Sequence, residues 1–99
     1  MKAKLKRYKS VEDFGRALGL SDIDMELIRQ KKKIIEKLKK ARENQNLSQA
    51  KLAAKVGSKQ PAIARMESGQ VSEVSMDFLA KVALALDMAI GIKPHTKAA

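Results

Sequence analysis

Gln60 and Arg65 are the residues of this chain best equipped to read the edge of a nucleic-acid base. An arginine offers two parallel N–H donors that match N7 and O6 of guanine, and a glutamine pairs one donor and one acceptor with N7 and N6 of adenine. Ile63 and Met66 mark the buried side of a short helix over residues 60–68, which turns Gln60, Pro61, Ala64, Arg65 and Ser68 outward. Pro61 and Ala64 add apolar surface suited to a thymine methyl. Gln60, Pro61, Ala64 and Arg65 are therefore the candidate base-reading set, although Arg65 would serve equally as a phosphate contact or a solvated charge. Ser58 and Lys59 stand at the amino end of this helix, where free N–H groups and the helix dipole favour a phosphate. Ser58 is chemically the better cap. Lys51, Lys55, Lys59 and Ser72 are further candidates for phosphate contact.

Those side chains need a scaffold that aims them. Leu47, Leu52, Ala53 and Val56 recur at helical spacing just upstream, and Gly57 stands between the two amphipathic segments where the chain must turn at positive φ. Gly69 ends the second segment. Two short helices locked at an angle by one turn form a helix-turn-helix, whose second helix fits a DNA major groove. A plain helical hairpin shares the glycine but not the outward polar set.

Around this unit the pattern is helical throughout. Residues 1–9 form a basic arm, either a strand or disordered, and Ser10 with Asp13 starts a short helix through Phe14 and Leu18 that ends near Gly19. Ser21 and Asp24 start a long helix reaching about Asn44, with Leu27, Ile28, Ile34, Ile35, Leu38 and Ala41 on its apolar side. Lys31 interrupts that side, by snorkelling or because the helix projects beyond the core. Ser75 caps a last helix whose stripe is Met76, Leu79, Val82, Ala83 and Leu86. Its other sides are also apolar, and Met88, Ile90 and Ile92 then alternate like a short strand. Such a strand would pair with the amino-terminal arm, its twin in a dimer, or a partner's edge. Phe78, Leu84, Ala85, Met88, Ile90 and Ile92 are accordingly the expected subunit interface. The division expected is 1–21, basic arm and short helix, and 22–99, the helix-turn-helix domain with its carboxy-terminal strand.

Twenty-one Lys and Arg against eleven Asp and Glu give a net charge of +10 on 99 residues, clustered at 2–9 and 31–40. The commonest partner for such a field is duplex nucleic acid, with an anionic membrane surface second. The lysines of 31–40 would either face solvent or meet backbone phosphate. Aromatic residues are only 3 % of the chain, so the core must be aliphatic, as in helical bundles. With no cysteine, a disulfide framework and a thiolate metal site are both excluded. The one histidine, His95, follows Pro94 with no acid or nucleophile at motif spacing, so neither catalysis nor a cofactor is expected. Without a long apolar run, no secretory leader or membrane span is expected, and a cytoplasmic, nucleoid-associated protein is.

The motif resembles the lambda-repressor-like, XRE-type helix-turn-helix family in Leu47-Ser48-Gln49, Leu52-Ala53, Val56-Gly57, Ile63, Glu67 and Gly69, and onward in Leu79, Val82, Ala83 and Leu86. The likeness covers residues 38–90 and departs from the family at Lys59, Pro61 and Val74. It implies an all-α bundle, here with an amino-terminal helical extension and a short carboxy-terminal β-strand. It also implies that residues at Gln60, Pro61 and Arg65 reach bases, that Gln49 bonds a phosphate and braces Gln60, and that Arg42 and Glu67 form a semi-buried salt bridge. One such helix makes few contacts, so a homodimer on a palindromic operator with half-sites about 34 Å apart is expected. The extra helices and the closing residues 83–94 resemble HigA-type antitoxins, which neutralise a small RelE- or HigB-like ribonuclease toxin and repress their own operon. A stand-alone repressor is the alternative, and the net charge of +10 argues against a purely electrostatic grip on a basic toxin.

Overall fold

Serines start three of the helices. In the computed structural model, which describes residues 11–95, the hydroxyls of Ser21, Ser48 and Ser75 each accept the backbone N–H three residues on, from Asp24, Lys51 and Phe78. Asp24 returns the bond to the Ser21 N–H, completing a capping box. The helices are α1 (Val11–Ala17), α2 (Asp22–Asn44), α3 (Gln49–Val56), α4 (Gln60–Glu67) and α5 (Met76–Ala85), with a 3-10 turn at Val71–Glu73 before α5. Four of them end alike. A residue in the left-handed region, Gly19, Asn46, Gly57 or Asp87, lets the next N–H reach back to the carbonyl of Gly15, Arg42, Ala53 or Ala83. Gly57 in that role is legible from sequence; Asp87 is a less obvious choice.

The core sits among α2, α3, α4 and α5. Leu52, Ile63, Met66, Leu79, Val82 and Leu86 are fully buried, and α2 adds Ile35 and Leu38. Burying each large aliphatic side chain contributes about 1.5–3 kcal/mol. Ile28, Ile34 and Ala41 lean on this cluster, whereas Ile23 and Leu27, nearer the start of α2, are 81 % and 43 % exposed. The first turns of α2, residues 22–27, therefore overhang the bundle. There it carries α1, whose Gly15 lies so close to Met25 that an added Cβ would come within 2.5 Å of the sulfur. Met76, read as part of the α5 stripe, is 38 % exposed.

Lys31 has a structural use. Its ammonium donates a 2.7 Å hydrogen bond to the Val74 carbonyl, tying the middle of α2 to the turn before α5. Gln45 does the same at the other end, donating to the Leu86 carbonyl at 3.0 Å.

The all-α expectation holds, but the carboxy-terminal strand does not. Among the described residues there is no strand, and Met88, Ile90 and Ile92 belong to an irregular segment running to His95. A strand needs a neighbour for its backbone N–H and C=O groups, and the other described elements are helices and turns that offer no edge. Instead, Asp87 turns the chain out of α5, and His95 ends 3.1 Å from the Glu26 carboxylate on α2. The expected basic arm, residues 1–9, lies outside the described residues. None of the described helices is long and apolar enough to cross a membrane.

Gly57 adopts φ +79° with open space where a Cβ would lie, so Gly57→Ala costs backbone strain alone. The expected loss is about 1–2 kcal/mol in a denaturant titration, with helix content unchanged.

Candidate nucleic-acid interface

The turn around Gly57 fixes α4 against α3. It also explains why Ser58 is not the cap of α4. Ser58 is spent closing α3, with its N–H bonded to the Ala53 carbonyl at 2.8 Å, and Lys59 takes the N-cap position in extended conformation with no side-chain bond to α4. No acidic residue occupies the first turn of α4, and Pro61 there lacks an N–H altogether. A cation at an uncapped helix start opposes the dipole. An arriving phosphate would relieve that conflict, since it suits both the ammonium and the remaining N–H groups.

Along α4, Ile63 and Met66 are buried, Gln60, Pro61 and Arg65 are exposed, and Ala64 is half-buried. No described carboxylate pairs with Arg65, so its guanidinium is free to meet a ligand. Lys51, Lys55 and Lys59 are exposed, and Ser58 and Gln49 are half-buried. Ser72 begins no helix of its own; its backbone lies in the 3-10 turn, and its side chain is outside the described set. On α2, Lys32, Lys33, Lys37, Lys39 and Lys40 are all exposed.

A continuous chain of hydrogen bonds runs from the interior to this face. Arg42 grips Glu67 with two N–H groups, Nε to Oε2 at 2.7 Å and Nη2 to Oε1 at 3.1 Å, and holds the Leu47 carbonyl with Nη1 at 2.6 Å. The two side chains are only 11 % and 4 % exposed. Gln49 then donates to Glu67 Oε1 at 3.0 Å, and Gln60 donates to Gln49 Oε1 at 2.7 Å. A carboxylate only accepts, so Gln49 must turn its NH₂ inward and its oxygen toward Gln60. Gln60 must then turn its own NH₂ to Gln49. What remains outward is the Gln60 oxygen with one N–H, an acceptor and a donor side by side. Gln49 likewise keeps one N–H free. The link from Gln49 to Glu67 is not legible from spacing, because it depends on how α3 and α4 cross.

The expected subunit residues divide into two groups. Phe78 and Ala85 lean on the molecule's own core, while Leu84, Met88, Ile90 and Ile92 are exposed, at 66 %, 37 %, 36 % and 102 %. Phe78 also lines a shallow cleft with Ala62, Arg65 and Val74 beside α4.

Burial pushes the Glu67 carboxyl up, but hydrogen bonds from Arg42 and Gln49, with the charge of Arg42, outweigh it and hold the carboxyl below its ordinary value. The hydrogen bond to Glu67 raises Arg42 correspondingly. A lowered folded-state pKa contributes stability above the unfolded value and loses it as pH falls through the folded one. Arg42→Ala is expected to cost about 3–5 kcal/mol near neutral pH, because a buried carboxylate loses its partner. The gap between variant and wild type should narrow in acid, where Glu67 is protonated in both; thermal melts from neutral pH to below 4.5 check this.

A family model described as helix-turn-helix matches residues 38–92, which span α3 and α4 with the end of α2 and all of α5. A solved structure described as a toxin-antitoxin module from Streptococcus pneumoniae is similar to this chain at 30 % identity and a TM-score of 0.59, covering 88 % of this chain and 94 % of that one. No curated protein sequence matches significantly. By the matched span, together with the left-handed Gly57 turn and the exposed α4, the chain belongs to the XRE-type helix-turn-helix family.

Proposed function

We propose that this chain is a sequence-specific DNA-binding repressor that acts as a homodimer on a palindromic operator and has no catalytic activity. The observation that carries it is the chain of bonds ending in Gln60, which presents a donor and an acceptor next to the free Arg65 on one exposed helix. In this reading, Gln60 and Arg65 read bases, Pro61 and Ala64 contact thymine methyls, and Gln49, Ser58, Lys51, Lys55, Lys59 and Ser72 hold the backbone. The dimer is built from Leu84, Met88, Ile90 and Ile92, with Phe78 and Ala85 behind them.

The further proposal is that the repressor is the antitoxin of a type II pair and regulates its own operon. Similarity over nearly the full length of a chain from a toxin-antitoxin module supports it. The amino-terminal helices ahead of the matched span also exceed what the motif alone requires.

Binding to duplexes selected from a random pool tests the DNA reading. If a dimer meets about six phosphates, affinity falls about 10³-fold between roughly 50 and 200 mM salt. Arg65→Ala should lose about 1–3 kcal/mol at one base position and leave the other positions unchanged. An equal loss on every sequence would make Arg65 a phosphate contact. No binding at low salt would remove the function.

A further inference from the structure

The overhanging end of the molecule is unlike the rest in both charge and surface. Residues 11–30 contain Glu12, Asp13, Asp22, Asp24 and Glu26 against only Arg16 and Arg29, a net charge of −3, whereas residues 31–95 carry thirteen Lys and Arg against six Asp and Glu, a net +7. Both arginines of this end already face its own carboxylates, Arg16 with Asp13 and Asp22, and Arg29 with Glu26. Apolar side chains stand among these acids. The stripe by which α2 packs through Ile34, Leu38 and Ala41 continues past the bundle as Leu27 and Ile23, with Ile23 81 % exposed. On the opposite side of α2, Phe14 and Leu18, 47 % and 64 % exposed, border an apolar groove floored by Leu20, Met25 and Ile28, with Lys32 at its rim.

We propose that this end, α1 with the first turns of α2, is the docking surface for the basic partner protein of the proposed pair, which seats apolar side chains against Leu18 and Ile23 and sets its own cations against Asp22 and Asp24. The inference rests on the antitoxin reading and locates its partner. Over the described residues the charge is divided between −3 at 11–30 and +7 at 31–95, while the remaining +6 lies in residues 1–10 and 96–99. DNA is excluded here by the carboxylates. A second copy fits poorly: two such ends repel each other, and end-to-body contact is heterologous and would propagate into filaments instead of closing a dimer.

The experiment co-expresses the full chain with the basic protein encoded by the adjacent reading frame and measures their affinity by calorimetry. Leu18→Asp and Ile23→Lys are the variants, since both residues are exposed and fold integrity is checked by unchanged melting and DNA binding. Each should weaken the complex by about tenfold or more, and hydrogen-exchange protection should concentrate in residues 11–30. A wild-type complex that both variants leave intact overturns the inference but not the antitoxin reading. No wild-type complex removes both. Deletion of residues 1–9 should leave the hydrogen-exchange protection of residues 11–30 in the free chain unchanged; loss of that protection would make the arm the occupant of this end and overturn the proposal.

Discussion

The buried pair of Arg42 and Glu67 is the constraint on which the functional face depends. Taking two charges out of water is costly, and a well-packed apolar pair of similar volume is often no less stabilising. Stability alone is therefore a weak reason for this pair. What an apolar pair lacks is direction. A carboxylate that only accepts fixes Gln49, Gln49 fixes Gln60, and the outward pattern of donor and acceptor on α4 follows from a charge at the base of the chain. Arg42 also holds the Leu47 carbonyl, so the same side chain anchors the loop into α3.

The rest of the fold keeps α4 where that chain can operate. Gly57 permits the turn, Ile63 and Met66 seat the helix, and Lys31 and Gln45 clamp α2 to either end of α5 through backbone carbonyls. Among the described residues the first turns of α2 carry only α1 and the His95 contact with Glu26. The apolar stripe of α2 continues beyond the core, and the sign of the local charge reverses there. One helix of 23 residues thus joins a basic body to a segment, residues 11–30, that is net acidic.

Much of this is legible in the sequence because it is local. Serine caps, glycine turns and helical spacing act over three to five residues, and they place all five helices. The carboxy-terminal segment misled for an instructive reason. Alternation at Met88, Ile90 and Ile92 shows which side chains could share a face, but a strand also needs a neighbour, and the described chain provides none. Ser58 misled similarly: its chemistry suits a cap, yet the preceding helix claims it one position early. The bonds of Lys31 to Val74 and Gln49 to Glu67 join residues 43 and 18 positions apart, and no local pattern encodes them.

The side-chain amides of Gln49 and Gln60 report on the central claim directly. In a ¹⁵N spectrum recorded while selected duplex DNA is added, their NH₂ signals and the backbone of α4 should shift most, with the α1 signals unmoved. Shifts confined to α1 and the start of α2, with Gln49 and Gln60 undisturbed, would show that α4 does not read the duplex.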